Sequence, residues 1–143
     1  MKYLLDTNVL SEIRKPNGDA KVKGFINKLR EEDLYITTLS IGEIAFGAEM
    51  LQAGPMKTEL QIWLTQKLPE RFAGRIISPD TDVMIEWGGL KARAGKTLPV
   101  IDCLIAASAL ARRLTVVTRN VKDFEKIEGL VLINPWKEIQ TIT

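Results

Sequence analysis

The chain has 143 residues, of which 45% are hydrophobic, and this length and composition suit one domain with a single core. We therefore predict a single domain over residues 1–143. The formal net charge of +2 is too small to indicate a nucleic-acid partner by itself. The single cysteine, Cys103, excludes an internal disulfide and favours a reducing compartment. No apolar run is long enough for a signal peptide or a membrane helix, so we expect a cytoplasmic protein.

Histidine is absent from the sequence, and its absence restricts the chemistry available to the chain. Ser-His-Asp triads, Cys-His pairs, histidine acid–base ribonuclease chemistry and histidine-ligated zinc are all excluded. Any catalysis must use carboxylates, lysine, hydroxyl groups or the one thiol. Carboxylates grouped without nitrogen or sulfur ligands favour Mg²⁺ or Mn²⁺.

The chain begins with a short apolar run, residues 3–5, that stops at Asp6. Thr7 and Asn8 follow with side chains suited to the start of a helix, and apolar residues then recur at helical spacing to about Arg14. Asp6 is thus predicted to close a strand at the turn into a helix. Ligands and reacting groups of open α/β sheets gather at this edge. Capping of the helix by Asp6 together with Asn8 explains the residue equally well.

A turn at residues 16–18 separates this unit from a basic amphipathic helix predicted over residues 20–30, to which we assign the role of covering the sheet. A second strand is predicted over residues 34–38. Glu43 follows in the sequence Ser40-Ile41-Gly42-Glu43, which opens the next predicted helix. Ser-x-x-Glu is the pattern of a capping box, which needs no function. We favour a catalytic role for Glu43, because it lies at a strand-to-helix turn beside the predicted place of Asp6.

Residues 57–67 predict a further helix, residues 75–79 a third strand, and Asp80 to Asp82 the capped start of another helix. Four large apolar residues in this part of the chain offer either core packing, which is the commoner fate of such residues, or a surface for a partner. They are Met50, Leu51, Met56 and Trp63.

Residues 98–111 predict a buried helix, because nearly every residue after Pro99 is apolar or small. Asp102 is the only charged residue in this helix. Burying a carboxylate without a partner is costly, so a chain that keeps one there is expected to provide a cation for it. The alternative is the favourable placement of an acid in the first helical turn, which is worth about 0.3–1 kcal/mol.

A fourth strand is predicted over residues 114–118 and a fifth over residues 129–133, with Asn120 and Asp123 in the segment between them. Strands that alternate with helices indicate a parallel α/β sheet covered on both faces. Four candidate polar sites should therefore lie at one edge of the sheet. They are Asp6, Glu43, Asp102 and the pair Asn120 and Asp123.

Four motifs in this order resemble the PIN-domain family, and specifically its VapC-type toxins. The motifs are Leu4-Leu5-Asp6-Thr7-Asn8-Val9, Ser40-x-x-Glu43, Pro99-x-x-Asp102-x-x-Ile105-Ala106-Ala107 and Thr118-Arg119-Asn120-x-x-Asp123-Phe124. The resemblance spans Asp6 to Trp136. It implies a three-layer α/β/α sandwich with a parallel five-stranded sheet in the order 3-2-1-4-5. It also implies a Mg²⁺- or Mn²⁺-dependent endoribonuclease acting on RNA of the tRNA or rRNA class, a small VapB-type antitoxin, and a homodimer.

The resemblance further implies two sets of site residues. The catalytic set is Asp6, Glu43, Asp102 and Asp123, of which Asp6 and Asp102 are expected to hold the metal. The supporting or substrate-binding set is Thr7, Asn8, Thr118 and Asn120. Asn120 stands where many relatives carry an aspartate, while Asp123 remains available as the fourth acid.

The residue types predict a mechanism in which a metal-activated water attacks phosphorus in line and leaves 5′-phosphate and 3′-hydroxyl ends. Two alternatives stay open. An aspartyl-phosphate phosphatase also places a nucleophilic aspartate after its first strand, but it usually carries a second acid two residues later, where this chain has Asn8. A non-catalytic receiver-like binding module would use one phosphorylatable aspartate and would not need Glu43 and Asp102 together.

Overall fold

The strands form one five-stranded parallel sheet with the first strand at its centre. The computed structural model describes residues 1–94 and 98–137. The strands are Tyr3–Leu5 (β1), Leu34–Thr37 (β2), Ile76–Ile77 (β3), Thr115–Val117 (β4) and Leu132–Ile133 (β5). They pair in the order β3-β2-β1-β4-β5, and every pairing is parallel. The sheet order implied by the resemblance is therefore confirmed.

Helices connect the strands and cover both faces of the sheet. They are Thr7–Arg14 (α1), Ala20–Lys28 (α2), Thr38–Glu49 (α3), Pro55–Ile62 (α4), Leu68–Arg71 (α5), Thr81–Ala94 (α6), Val100–Arg112 (α7) and Val121–Phe124 (α8). A π-helical segment, Trp63–Lys67, joins α4 to α5, so α4 and α5 form one continuous helix. None of the helices in the described ranges is long and apolar enough to cross a membrane.

Two hydrophobic clusters lie on opposite faces of the sheet, because successive side chains of a strand point to opposite sides. Leu4 and Val116 pack with α6 and α7 on one face, whereas Leu5 and Val117 pack with α1, α2 and α3 on the other. All four of these strand residues have no exposed surface. Burial on both faces explains why the central strands are continuously apolar, and it confirms the three-layer architecture.

Several element boundaries differ from those predicted. The strand predicted over residues 34–38 ends at Thr37, and the helix after it begins at Thr38, before Ser40. The strands predicted over residues 75–79 and 129–133 have only two residues each. These two strands lie at the sheet edges, where each pairs on one side only, and short edge strands are common in natural sheets. The helix predicted over residues 57–67 begins earlier, at Pro55, and continues beyond the π-helical segment to Arg71.

Candidate active site

Asp6 lies directly after the central strand, and only 4% of its surface is exposed. Its backbone N–H donates to Val117 O at 3.0 Å, which joins the end of β1 to β4. Its Oδ1 caps α1 by accepting from the N–H of Thr7 at 2.8 Å. Its Oδ2 accepts from the hydroxyl of Thr118 at 2.8 Å and from the amide of Asn8 at 3.4 Å. The carboxyl group of Asp6 is thus a helix cap, and its orientation at the sheet edge is fixed by hydrogen bonds.

The pKa of Asp6 is raised above its ordinary value, chiefly by burial. Hydrogen bonds from Thr118, Thr7 and Asn8 lower the pKa in part, while the negative charge of Glu43 raises it further. Burial therefore outweighs the donors that stabilise the ionised form. A nearby cation would favour the ionised carboxylate at this position.

The hydroxyl of Thr7 connects the Asp6 turn to α3. Thr7 Oγ1 lies 2.6 Å from Glu43 Oε1 and 2.9 Å from Ser40 Oγ. An ionised carboxylate can only accept, so Thr7 donates its one proton to Glu43 and its oxygen is left to accept from Ser40. Glu43 is otherwise exposed. This hydrogen bond therefore holds a surface carboxylate at the same sheet edge as Asp6.

The capping-box interpretation of Ser40 and Glu43 is wrong. Thr37 is the N-cap of α3, and its side chain accepts from the N–H of Ser40 at 3.2 Å. A capping-box glutamate lies three residues after the cap, which is the position of Ser40, whereas Glu43 lies in the second turn. The polar contact of Glu43 is with Thr7 on α1, so helix capping does not explain this acid.

Asp102 lies in the first turn of α7 and is half-buried. Most of the helix that follows it is buried, as the sequence predicted. Burial and the negative charges of Asp6, Glu43 and Asp123 raise the pKa of Asp102 from 3.8 to about 6. An acid that only complements a helix dipole would be stabilised in its charged form. The pKa of Asp102 shifts in the opposite direction, so its burial, followed by its acidic neighbours, outweighs the helix dipole.

The four predicted acids thus share one electrostatic environment, because the charges of the other three all act on Asp102. Among residues 1–94 and 98–137, however, no group of three or more acidic or cysteine side chains is arranged to hold a metal ion. Mg²⁺ is usually held by one or two carboxylates, with waters or substrate phosphates as its other ligands. The oxygen-donor set of Asp6 and Asp102 fits such an ion, and it does not form a complete protein cage.

Thr118 is fully buried at the end of β4 and organises the loop that follows. Its oxygen accepts from the backbone N–H of Asn120 at 3.0 Å and from the amide of Asn8 at 3.4 Å, while its proton goes to Asp6. Asn8 Oδ1 accepts from the N–H of Arg119 at 3.2 Å. Asn8 was expected to bond to the helix start, and instead it bridges to the β4 loop. Asn120 contributes its backbone N–H, and its side chain is exposed.

Arg119 and Trp136 were not predicted to lie beside the site. The guanidinium of Arg119 stands over the indole of Trp136, 5.2 Å from the ring centroid. Trp136 is half-buried against the core cluster that contains Leu5 and Val9. Arg119 stands within the fourth sequence motif, but no pattern in the sequence paired it with a tryptophan from the segment after β5.

Comparison with known proteins shows the family. Residues 3–130 match the family model of the PIN domain. The VapC ribonuclease Y4jK of Sinorhizobium fredii is 36% identical over 94% of this chain and 97% of its own length. The toxin FitB of Neisseria gonorrhoeae is 33% identical over 94% of this chain and 99% of its own length. A solved structure of FitAB bound to an IR36 DNA fragment superposes with a TM-score of 0.87 at 30% identity, and the match covers 98% of this chain and 99% of that one.

Proposed function

This chain belongs to the PIN domain family, and from that premise we propose that it is a Mg²⁺- or Mn²⁺-dependent endoribonuclease, the toxin of a VapC-type toxin–antitoxin pair. The observation that carries the proposal is the grouping of acids at the sheet edge, where hydrogen bonds hold Asp6 after β1 and Thr7 holds Glu43 beside it. Burial, together with the charges of Asp6, Glu43 and Asp123, also raises the pKa of Asp102 at this edge. A site that disfavours its own negative charge is one that a divalent cation stabilises. The proposed substrate is RNA of the tRNA or rRNA class, and the proposed compartment is the cytoplasm.

Asp6 and Asp102 are the residues that would hold the cation. Three hydrogen bonds fix the orientation of Asp6, so this carboxylate needs little reorganisation when it binds. Asp102, in the first turn of a buried helix, lies close enough for the charge of Asp6 to raise its pKa. When bound, a divalent cation would lower the pKa of a water and offset charge on the scissile phosphate.

Glu43 would orient the attacking water, and its hydrogen bond from the hydroxyl of Thr7 supports this role. The water oxygen would bond to phosphorus as the bond from phosphorus to the 3′-oxygen breaks. The products would then carry 5′-phosphate and 3′-hydroxyl ends, and the ribose 2′-hydroxyl would take no part. Asp123 on α8 adds a fourth negative charge near Asp102.

The two alternatives are less well supported than the nuclease. A phosphatase of this type usually carries a second acid two residues after its nucleophile, but here Asn8 fills that position and its amide donates to Asp6. A receiver-like module needs one acid at the end of its first strand, whereas Glu43 and Asp123 also act electrostatically on Asp102. Hydrolysis of a generic phosphomonoester would favour the phosphatase, and failure to bind any divalent ion would favour the binding module.

The test of the proposed activity is cleavage of total RNA by the purified protein with Mg²⁺, with Mn²⁺ and with EDTA. We expect cleavage with either metal, no cleavage in EDTA, and 3′ ends that a ligase joins without prior phosphatase treatment. Asp6→Asn should abolish cleavage, while Asp82→Asn, which alters an acid outside the site, should retain it. Activity in excess chelator, or 2′,3′-cyclic phosphate ends, would contradict the mechanism.

The proposed protein partners are a small VapB-type antitoxin and a second copy of this chain. The apolar surface predicted from the sequence is partly present, since Met50 and Met56 are 71% and 73% exposed. Phe46, one helical turn before Met50, is 69% exposed, whereas Trp63 is half-buried. A partner helix could cover these side chains while a basic residue from the same partner reaches the acids.

Co-expression with the adjacent open reading frame should yield a complex that no longer cuts RNA. A neighbouring product that neither co-purifies nor inhibits would contradict the toxin assignment.

A further inference from the structure

A groove of about 430 Å³ lies beside α2, where the chain returns after β5. Its main lining residues are Lys21, Gly24, Phe25, Lys28, Pro135 and Lys137. Three of these are lysines, and the described lining residues include no acid. Lys21 and Lys28 lie two helical turns apart, so they stand on one face of α2 at a rise of roughly 10 Å. The groove is therefore a basic channel from two separate segments of the chain.

A continuous series of contacts leads from this groove to Asp6. Trp136 lies between the groove residues Pro135 and Lys137, and the guanidinium of Arg119 stands over its ring. The N–H of Arg119 donates to Asn8 Oδ1 at 3.2 Å, and the amide of Asn8 donates to Asp6 Oδ2 at 3.4 Å. The Arg119–Trp136 pair therefore connects the segment that lines the groove to the turn that holds Asp6.

An acidic site repels the phosphates of its own substrate, so a nuclease of this kind needs positive charge on the approach to the site. The net charge of the chain is only +2, which makes the placement of the lysines matter more than their number. Aromatic rings beside a basic groove suit single-stranded RNA, whose unpaired bases can stack on them. Phe25 is half-buried and lines the groove, and Trp136 follows Pro135, another lining residue, in the chain.

We propose that the groove of Lys21, Lys28 and Lys137 binds the phosphate backbone of a single-stranded RNA segment that continues past the Arg119–Trp136 pair to the acidic site. This inference rests on the proposed nuclease function, and it assigns the path by which the substrate reaches that site. The lysines supply phosphate contacts without reading bases. Any base preference at this position would come from stacking on the rings.

The test is binding of a fluorescently labelled 20-nucleotide single-stranded RNA in EDTA, measured by anisotropy over a range of salt concentrations. The test variant carries Lys21→Gln, Lys28→Gln and Lys137→Gln, and the control carries Lys2→Gln, Lys57→Gln and Lys67→Gln, with the same change of charge. Each lost phosphate contact lowers the slope of log Kd against log salt by about 0.7, so the test variant should lose about 2 in slope. Its Kd at low salt should rise on the order of 10- to 100-fold, and the Kd of the control by less than about threefold.

Cleavage assays with metal complete the test. The KM of the test variant for the 20-nucleotide RNA should rise, while its kcat on a tetranucleotide too short to reach the groove should stay that of the wild type. If the test variant still cuts RNA with an unchanged salt slope and an unchanged KM, the groove does not bind the substrate, although the nuclease activity is confirmed. If the wild type cuts no RNA, only the proposed nuclease activity is contradicted. The binding assay in EDTA tests the groove independently, because it does not require cleavage. Normal RNA binding with lost capture of the adjacent gene product would make the groove a protein site and overturn the inference.

Discussion

Replacing Asp102 by Asn tests whether repulsion among the acids at the sheet edge destabilises the protein when no metal is bound. The change keeps the shape of the side chain and removes one charge from the neighbourhood of Asp6, Glu43 and Asp123. Because the pKa of Asp102 is raised from 3.8 to about 6, the folded protein holds this proton more tightly than the unfolded chain does. The resulting stabilisation is fully present below pH 3.8 and is lost as the pH rises through about 6.

The size of the effect follows from that difference in pKa. Two pKa units correspond to roughly 3 kcal/mol for a fully buried group. Asp102 is only half-buried, so solvent screening reduces the free energy, and we take about 1 kcal/mol. In a domain of this size, 1 kcal/mol shifts the Tm by roughly 3–4 °C. The metal-free Asp102→Asn variant should therefore melt a few degrees above the wild type at pH 7.5, and at nearly the same temperature near pH 4.

The assay is a thermal melt of both proteins in EDTA at the two pH values, repeated with Mg²⁺ or Mn²⁺. Added metal should raise the Tm of the wild type and that of the variant much less, because a ligand stabilises only the state that binds it. Asp82→Asn is the control, since Asp82 also lies in the first turn of a helix but stands 3.7 Å from the guanidinium of Arg112. Its loss should lower stability by a few tenths of a kcal/mol. An Asp102→Asn variant that is less stable than the wild type at pH 7.5 and still cuts RNA would refute the reasoning.

Two further substitutions test the residues that hold the acids. Thr118→Val removes a hydroxyl that donates to the buried Asp6, so we expect the free energy of unfolding at pH 7 to fall by about 1–3 kcal/mol. Urea unfolding measures this change, and Thr115→Val is the control at another buried threonine. Since that hydrogen bond lowers the pKa of Asp6, its loss should also move the acidic limb of the pH–rate profile to higher pH. Thr7→Val removes the donor to Glu43 and should lower single-turnover cleavage roughly tenfold, whereas Thr7→Ser keeps a hydroxyl and should restore most of the rate. Equal rates for the Val and Ser variants would show that the orientation of Glu43 does not matter.

Local patterns in the sequence were enough to predict the turn at Asp6. An apolar run that stops at an acid, followed by helical spacing, predicted the strand, the turn and the helix, and all three lie where they were expected. The absence of histidine was enough to restrict a metal site to mainly oxygen donors. The motifs carried the family resemblance, which the sheet order and the PIN domain match both confirm. The roles of the individual site residues stay predictions.

Local patterns could not choose between equivalent helix starts. Thr37 and Ser40 are both residues that cap helices well, and the sequence pattern favoured Ser40 because Glu43 follows it. The cap is Thr37, because β2 ends there and α3 begins immediately after it. This difference of three residues removes the capping-box alternative for Glu43, whose side chain instead accepts a hydrogen bond from Thr7.

The sequence by itself predicted the order of the elements, a preference for oxygen ligands and the four candidate acids, since these depend on residue type and on spacing within one segment. Only the tertiary structure decided which distant side chains meet. Asp6 receives the hydroxyl of Thr118 because β1 and β4 are adjacent in the sheet, although they are far apart in the chain. The lysines of α2 meet Lys137 because the chain folds back past them after β5. Such contacts come from the packing of separate segments on a common core, and the spacing of residues within each segment does not contain that information.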